Sequence, residues 1–471
     1  MPHKIVKRVV SSFLKGWNQD CGYKSILILA FPLILSTATW SIQQFVDRML
    51  LLWYSTSSVA ASMPAGAINL ATMAVFIGTA SYVNTFVAQY YGANRLIKIG
   101  PSIWQGIYVA LAGALLHLIL IPLAVPLFSS MGHAPEIRNQ EIIYFQTLCL
   151  GAFPVIAASS FSSFYSGRGK PWPLLWISFF QTGINLLFDY LLIFGRAGFP
   201  EMGIRGAALA SVISAYSALA CYCILLFRPS YTKVFHLLHG WRFNPTIFRR
   251  LIRFGFPAGI QFFMDISGFT VFLLLIGRLG TIALAATTIA FNIGWLALTP
   301  MSGIGIAIST LVGQRLGMNK PELAQRSVWS GFHFSGLYMG IIALLFLTVP
   351  NIFLSPFLAK ASPEDLPLLY PLSRTLLKFV GFYSFFDVVA VVFSAALRGA
   401  GDTRFIMWAI SILSLSIFIG GSFIILILLQ GGIYAAWGIV TAYIILLGLI
   451  FLIRFRGGKW KDMRVIETTL S

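Results

Sequence analysis

The sequence predicts an all-α integral membrane protein: twelve transmembrane helices in two six-helix lobes related by a parallel repeat. Three observations carry that reading: an apolar composition, long apolar runs at regular intervals, and similarity between the two halves of the chain. Of 471 residues, 58% are hydrophobic and only 10% are charged, where a soluble domain carries roughly 25% charged residues. There is too little polar surface to cover a water-facing globule. That excludes a soluble enzyme, a secreted disulfide scaffold and a disordered chain.

A helix needs about 20 mostly apolar residues to cross the hydrocarbon core. By that rule spans fall near 25–53, 59–89, 102–128, 141–165, 172–195, 206–227, 250–277, 283–312, 325–358, 372–397, 404–428 and 432–453. The first follows a basic stretch (Lys4, Lys7, Arg8, Lys15) with no short apolar run and small-residue cleavage site between them, so it reads as an uncleaved span. The second ends at Tyr91-Gly92-Ala93-Asn94-Arg95, and Gly167-Arg168-Gly169-Lys170-Pro171 separates the fourth from the fifth. Gly255/Gly259, Gly313/Gly317 and Gly336/Gly340 have the small-xxx-small spacing of close helix joints.

The longest polar connection, 229–249, divides a first lobe (25–228) from a second (250–455), with a basic N-terminal segment (1–24) and a tail (456–471) outside them. At an offset of 225, Phe31-Pro32 falls on Phe256-Pro257, Ala60-Ala61 on Ala285-Ala286, and Gln89, Gly92 and Asn94 on Gln314, Gly317 and Asn319. At 232, Gly167 and Gly169 fall on Gly399 and Gly401. Six spans per half give both halves the same orientation, a common transporter plan.

The net charge of +19 invites a nucleic-acid reading, but the cations sit in short loops between apolar runs and not on a soluble basic face. Loops on one side of the predicted membrane hold 25 Lys and Arg; the other side holds six, Arg138, Arg196, Arg205, Arg278, Lys360 and Arg374. The positive-inside rule then puts both termini in the cytoplasm. Short loops and terminal segments suggest a bacterial or archaeal cytoplasmic membrane; one chain is expected to work as a monomer. Cys21, Cys149, Cys221 and Cys223 form no disulfide or metal-ligand spacing.

Four acids fall inside apolar runs: Asp47, Asp189, Asp265 and Asp387; the other ten of the 14 read as loop or tail residues. A charge at the bilayer centre costs about 2.5–3.5 kcal/mol on insertion scales, so such residues face a cavity, pair or titrate. Gln43 shares a helix face with Asp47 at i, i+4, as Asn185 does with Asp189, Gln261 with Asp265, and Tyr383 with Asp387. Arg48 adjoins Asp47 but points about 100° away. The Asn185–Asp189 pair could ligate a small cation through oxygen or brace a helix end near Gly195. His117 and His333 read as satisfied core residues. The run 167–170 lacks the first Gly and the final Ser or Thr of a phosphate loop and reads as a turn. There is no H-E-x-x-H and no G-x-S-x-G, so no enzyme is expected and no cofactor.

The chain resembles the multidrug and toxic compound extrusion (MATE) transporters over roughly 25–455. The stretches that carry the resemblance are Phe31-Pro32 with Asp47 fifteen residues on, Val87 to Ala93 (with Gln89, Tyr90, Tyr91 and Gly92), Asn185 to Gly195, Gly203 to Ser211, Phe256-Pro257 with Asp265, and Ala396 to Thr403. The resemblance implies that Asp47 is the family's first-helix carboxylate, Asp265 its seventh-helix acid (usually Glu) and Asp387 its tenth-helix Asp. It further implies a first-lobe cation site of Asp47, Asn185, Asp189 and Ser211 and a second-lobe site of Asp265 and Asp387, to which shared helix faces add Gln261 and Tyr383; a substrate cavity is expected at Asp47, with Gln43 and Gln44. Met49 to Trp53 replaces the Val-Gly usual after the first-helix Asp.

The expected activity is antiport: amphipathic, cationic organic molecules leave in exchange for Na⁺ or H⁺, with the Na⁺ held at Asp265 and Asp387 or at Asp47, Asn185 and Asp189. Burial disfavours an ionised carboxyl, which makes proton coupling chemically available. The alternative is a flippase for a lipid-linked saccharide, which needs basic cavity residues for a diphosphate; Arg48 and Lys378 are the obvious cations within spans. A membrane enzyme or receptor is the third class, opposed by the missing catalytic constellation.

Overall fold

The computed structural model describes residues 17, 19–20, 22–358, 362 and 364–467. Lys4, Lys7, Arg8, Lys15, Cys21 and Lys360 lie outside the described residues. Regular structure among the described residues is helical, without strands. Eleven helices are long and apolar enough to cross a membrane, and a bent pair makes a twelfth span.

In chain order these are α1 (Tyr23–Tyr54), α2 (Thr56–Ser81) continued by α3 (Val83–Gly92), α4 (Ile99–Ser129), the bent pair α5 (Pro135–Cys149) and α6 (Ala152–Gly167), α7 (Trp172–Phe194) and α8 (Ile204–Leu226). A short α9 (Pro229–Phe235) lies in the polar connection. Then come α10 (Pro245–Gly277), α11 (Thr281–Gly317), α12 (Pro321–Thr348), short α13 (Pro350–Leu358), α14 (Leu366–Ala400), α15 (Thr403–Leu413) and α16 (Ile433–Arg456). Between α15 and α16 the span continues as wide π turns over Ser414–Gly421 and Ile424–Leu428.

All twelve expected spans are present, with one change of form. The fourth starts earlier, at Pro135, and is bent by 44° between α5 and α6. Gly151 stands at the bend, and Pro154 in the first turn of α6 has no N–H to continue the ladder of α5.

The chain divides into two compact units. One is the stretch up to Ile34 with Met264–Arg464; the other is Leu35–Phe263 with the segment from Val465. The cuts fall inside α1 and α10, shortly after Pro32 and Pro257, and not at the 229–249 connection. Glycine contacts explain this. In the second unit a methyl group at Gly259 of α10 would stand 2.2 Å from the Val75 carbonyl oxygen of α2, and one at Gly78 would stand 2.6 Å from Gly259 Cα. The two backbones touch, which only glycine permits. In the first unit a methyl at Gly303 of α11 would stand 2.6 Å from the Ile34 nitrogen. Gly78 and Gly303 are 225 residues apart, as are Ile34 and Gly259, so one joint is built twice. Asn94 and Asn319, also 225 apart, share a left-handed φ of 57°, a conformation asparagine tolerates. Gly336 and Gly340 meet nothing within 4 Å, so their spacing marks no joint.

Within the first unit α14 packs against α11, α12 and α16. Its most apolar stretch is 67% buried, where the other spans reach 22–39%, so it forms the middle of that unit. In the second unit α2 packs on α4, α5 and α6, and α7 on α8. The tail is tied to this unit: Val465 N donates to Gln89 Oε1 at 2.8 Å, and Glu467 accepts from the Tyr90 hydroxyl at 3.0 Å and pairs with Arg250 at 3.3 Å.

Candidate functional site

Two of the four intramembrane acids meet in one buried knot. Asp47 lies on α1, and Asn185 and Asp189 lie one turn apart on α7. Gln43 and Asp47 are 7% and 8% exposed, and Asn185 and Asp189 are fully buried. With its amide nitrogen turned to the carboxyl groups, Asn185 donates to Asp47 Oδ1 at 2.8 Å and Asp189 Oδ2 at 3.3 Å, and lies 3.1 Å from the Gln43 amide. Asp47 and Asp189 also act on each other electrostatically. Two ionised carboxylates so close repel each other, which favours a proton or a cation between them. Asp189 Oδ1 is buried and has no hydrogen-bond partner. Arg48 is exposed and lies near enough to act electrostatically on Asp47 and Tyr144.

Sequence reasoning missed Tyr144, whose hydroxyl on α5 interacts electrostatically with both Asp47 and Asp189. Its ring stands 3.8 Å from the Cβ position of Gly66 on α2. Ser211 on α8 is half-buried, and its carbonyl accepts from the Ser214 hydroxyl at 2.9 Å. No described contact joins Ser211 to the knot, nor Gln44, which is half-buried on α1.

The other two acids form a looser group. Asp265 on α10 is exposed and Asp387 on α14 is half-buried, with its Oδ2 buried and unpartnered. Tyr383, 4% exposed and one turn from Asp387, interacts with it electrostatically. Tyr443 on α16, also missed from the sequence, interacts with both Asp265 and Asp387. An aromatic series leads away from it: Tyr443 stacks on Phe418 at 5.0 Å, Phe418 on Phe272 at 5.3 Å, and Phe291 both touches Phe272 and stacks on Trp437 at 4.7 Å. Gln261, one turn before Asp265, is buried.

Of three other polar residues, two are packed into the fold and one stands apart. His117 is satisfied: Nδ1 lies 2.8 Å from the Gly113 carbonyl and Nε2 3.1 Å from Thr72 Oγ1. Arg168 sits in the expected turn, its guanidinium 4.0 Å over Phe164 and 4.8 Å over Tyr231 and Phe235. The exception is Glu141, read from the sequence as a loop acid. It lies on α5 and is fully buried, because α5 begins six residues before the apolar run does.

The MatE family model matches residues 32–191 and 257–424. A probable multidrug resistance protein NorM of Thermotoga maritima is 25% identical over 451 residues, covering 94% of each chain. Its namesake from Xanthomonas axonopodis pv. citri is 28% identical over 382 residues, covering 80% of this chain and 81% of its own. Among solved structures, a MATE protein in complex with MaL6 superposes with a TM-score of 0.85 at 18% identity, over 94% of this chain and 98% of that one. The eukaryotic MATE transporter AtDTX14 gives 0.82 at 18% identity, over 96% and 97%. At these identities the structural likeness speaks for the fold alone.

Proposed function

Because the chain belongs to the MATE family of transporters, we propose that it is a multidrug efflux antiporter. It exports amphipathic organic cations in exchange for an inward-moving ion, H⁺ or Na⁺, with both termini in the cytoplasm and one chain as the working unit. The observation that carries the reading is the knot of Asp47, Asn185 and Asp189: two carboxyl groups and an amide, removed from solvent, in direct hydrogen-bond contact. Burying two acids together is costly unless they serve a charge that comes and goes.

The mechanism follows from shared use of negative charge. A carboxylate cannot be fully compensated by the coupling ion and the organic cation at once, so binding of one weakens the other and shifts the balance between inward- and outward-facing states. The geometry favours a proton as the ion at the knot. A Na⁺ would need several oxygens turned to one point, whereas the Asn185 amide, with its nitrogen toward the acids, takes up an oxygen of Asp47 and one of Asp189. Asp265, Asp387 and the rings around Tyr443 suit the organic cation, by charge and by stacking.

The test is uptake of a fluorescent organic cation into inside-out proteoliposomes under Na⁺ and H⁺ gradients imposed separately. Accumulation driven by the H⁺ gradient, and lost in Asp189→Asn, supports the reading. No accumulation under either gradient, from folded protein, overturns it and points to a lipid-linked substrate.

A further inference from the structure

Glu141 is a buried acid that the ion knot does not use. Its Oε1 stands 2.8 Å from His133 Nδ1, its Oε2 is buried with no hydrogen-bond partner, and its side chain is fully shielded while that of His133 is 39% exposed. Beside it the Gln140 Oε1 is also buried and unpartnered, and Gln140 Nε2 donates to Ser57 Oγ at 3.2 Å. Glu141 lies six residues into α5, about 9 Å along the axis. The face it starts continues through Phe145 and Cys149 into an apolar cluster with Ala65, Ala124 and Phe128. Nothing in that seam needs a carboxyl group, and a surface histidine holding a sealed glutamate is an expensive way to pin a loop.

We propose that His133 and Glu141 form the outer entry of a proton relay into the Asp47–Asn185–Asp189 knot, with Tyr144 as the link. This rests on the antiport reading above and deepens it. The charge asymmetry of the loops places the α4–α5 connection, and so His133, on the external side. A proton on His133 Nδ1 passes to Glu141 Oε1, and His133 is reprotonated from outside water. Tyr144 lies three residues further along α5, just under one turn, and on this path the protonated carboxyl group turns toward it. The Tyr144 hydroxyl takes that proton, directly or through a bridging water, as it gives its own to Asp47 or Asp189. One proton moves inward, and Glu141 is left ready to accept the next. On the helices packed against α5, the other ionisable groups are Glu136, Arg138 and Cys149 on α5 itself, Tyr108 and His117 on α4, and Arg205, Tyr216, Cys221, Tyr222 and Cys223 on α8, while α2 has none between Thr56 and Ser81. His117 and Tyr216 are already engaged, the latter donating to the Leu150 carbonyl.

The experiment uses the full chain in proteoliposomes, measuring export of a fluorescent organic cation driven by an imposed pH gradient, with equilibrium binding of the same cation measured alongside. Glu141→Gln keeps the shape and should lower gradient-driven flux on the order of a hundredfold, with cation affinity unchanged. His133→Ala should slow export, and imidazole added on the external side only should restore it, which a purely structural contact would not allow. Wild-type flux in Glu141→Gln, or a His133→Ala defect that imidazole leaves untouched, overturns the relay while the antiport reading stands. A wild-type protein driven by Na⁺ alone, or by neither ion, overturns the relay from the other side.

Discussion

The two acid groups of this molecule are built on opposite principles. Asp47, Asn185 and Asp189 are buried and interlocked by hydrogen bonds; Asp265 is exposed and shares with Asp387 an electrostatic neighbour in Tyr443. Nor are the two groups copies of one another within the repeat. At the offset of 225 the partner of Asp47 is Phe272, fully buried in the aromatic series, and at 232 the partners of Asn185 and Asp189 are Ile417 and Gly421, within the π turns. By contrast the joint of Gly78 with Gly259 recurs as Gly303 with Ile34. The repeat shares its scaffold and not its chemistry. A closed knot suits a small ion that must shed water, and an open acid beside stacked rings suits a large cation that keeps part of its hydration.

Four measurements would break or sharpen that contrast. The largest expected effect is on the knot: Asp189→Asn removes one of the two carboxyl groups that Asn185 bridges, and gradient-driven transport in proteoliposomes should fall by about two orders of magnitude. An unchanged rate would move ion coupling away from the knot. Asp265→Asn should weaken equilibrium binding of an organic cation by about tenfold, or about 1.4 kcal/mol, with proton release on ion exchange retained. If both variants lost the same function, the two groups would be one site. Gly259→Ala and Gly303→Ala, as repeat mates, should each destabilise the protein by about 1–3 kcal/mol from overpacking, read as similar drops in the thermal midpoint in detergent. Unequal drops would show that the joint is not shared. Gly336→Ala, with open space around it, should change that midpoint least, within about 0.5 kcal/mol.

Much of this was legible because lipid makes polarity conspicuous. An acid within a long apolar run stands out, so Asp47, Asp189, Asp265 and Asp387 were all named from sequence, and i, i+4 spacing brought Asn185 and Gln43 with them. The repeat offset was visible through Gln89, Gly92 and Asn94, and the shared φ of Asn94 and Asn319 gives it a structural counterpart. Tyr144 and Tyr443 were hidden because tyrosine is at home in any span; only the fold decides which hydroxyl meets an acid. Glu141 was hidden by its neighbours, since Glu136 to Gln140 is a polar stretch that looks like loop while forming the first turns of α5. The exchange of helix starts could not be read either: Gly78 and Gly259 are 181 residues apart, and no local pattern names a glycine's partner.

That exchange sets an order on biogenesis. When a ribosome has delivered the first six spans, the groove along Val75 and Thr79 of α2 is still empty, because the stretch that fills it is the beginning of the seventh. The start of the first span waits longer, until α11 brings Gly303 to Ile34. Each half therefore enters the membrane incomplete and is finished by a piece of the other. Two fragments made by cutting the 229–249 connection would each carry the other's missing helix start, so they should mature when co-expressed and be degraded when made alone.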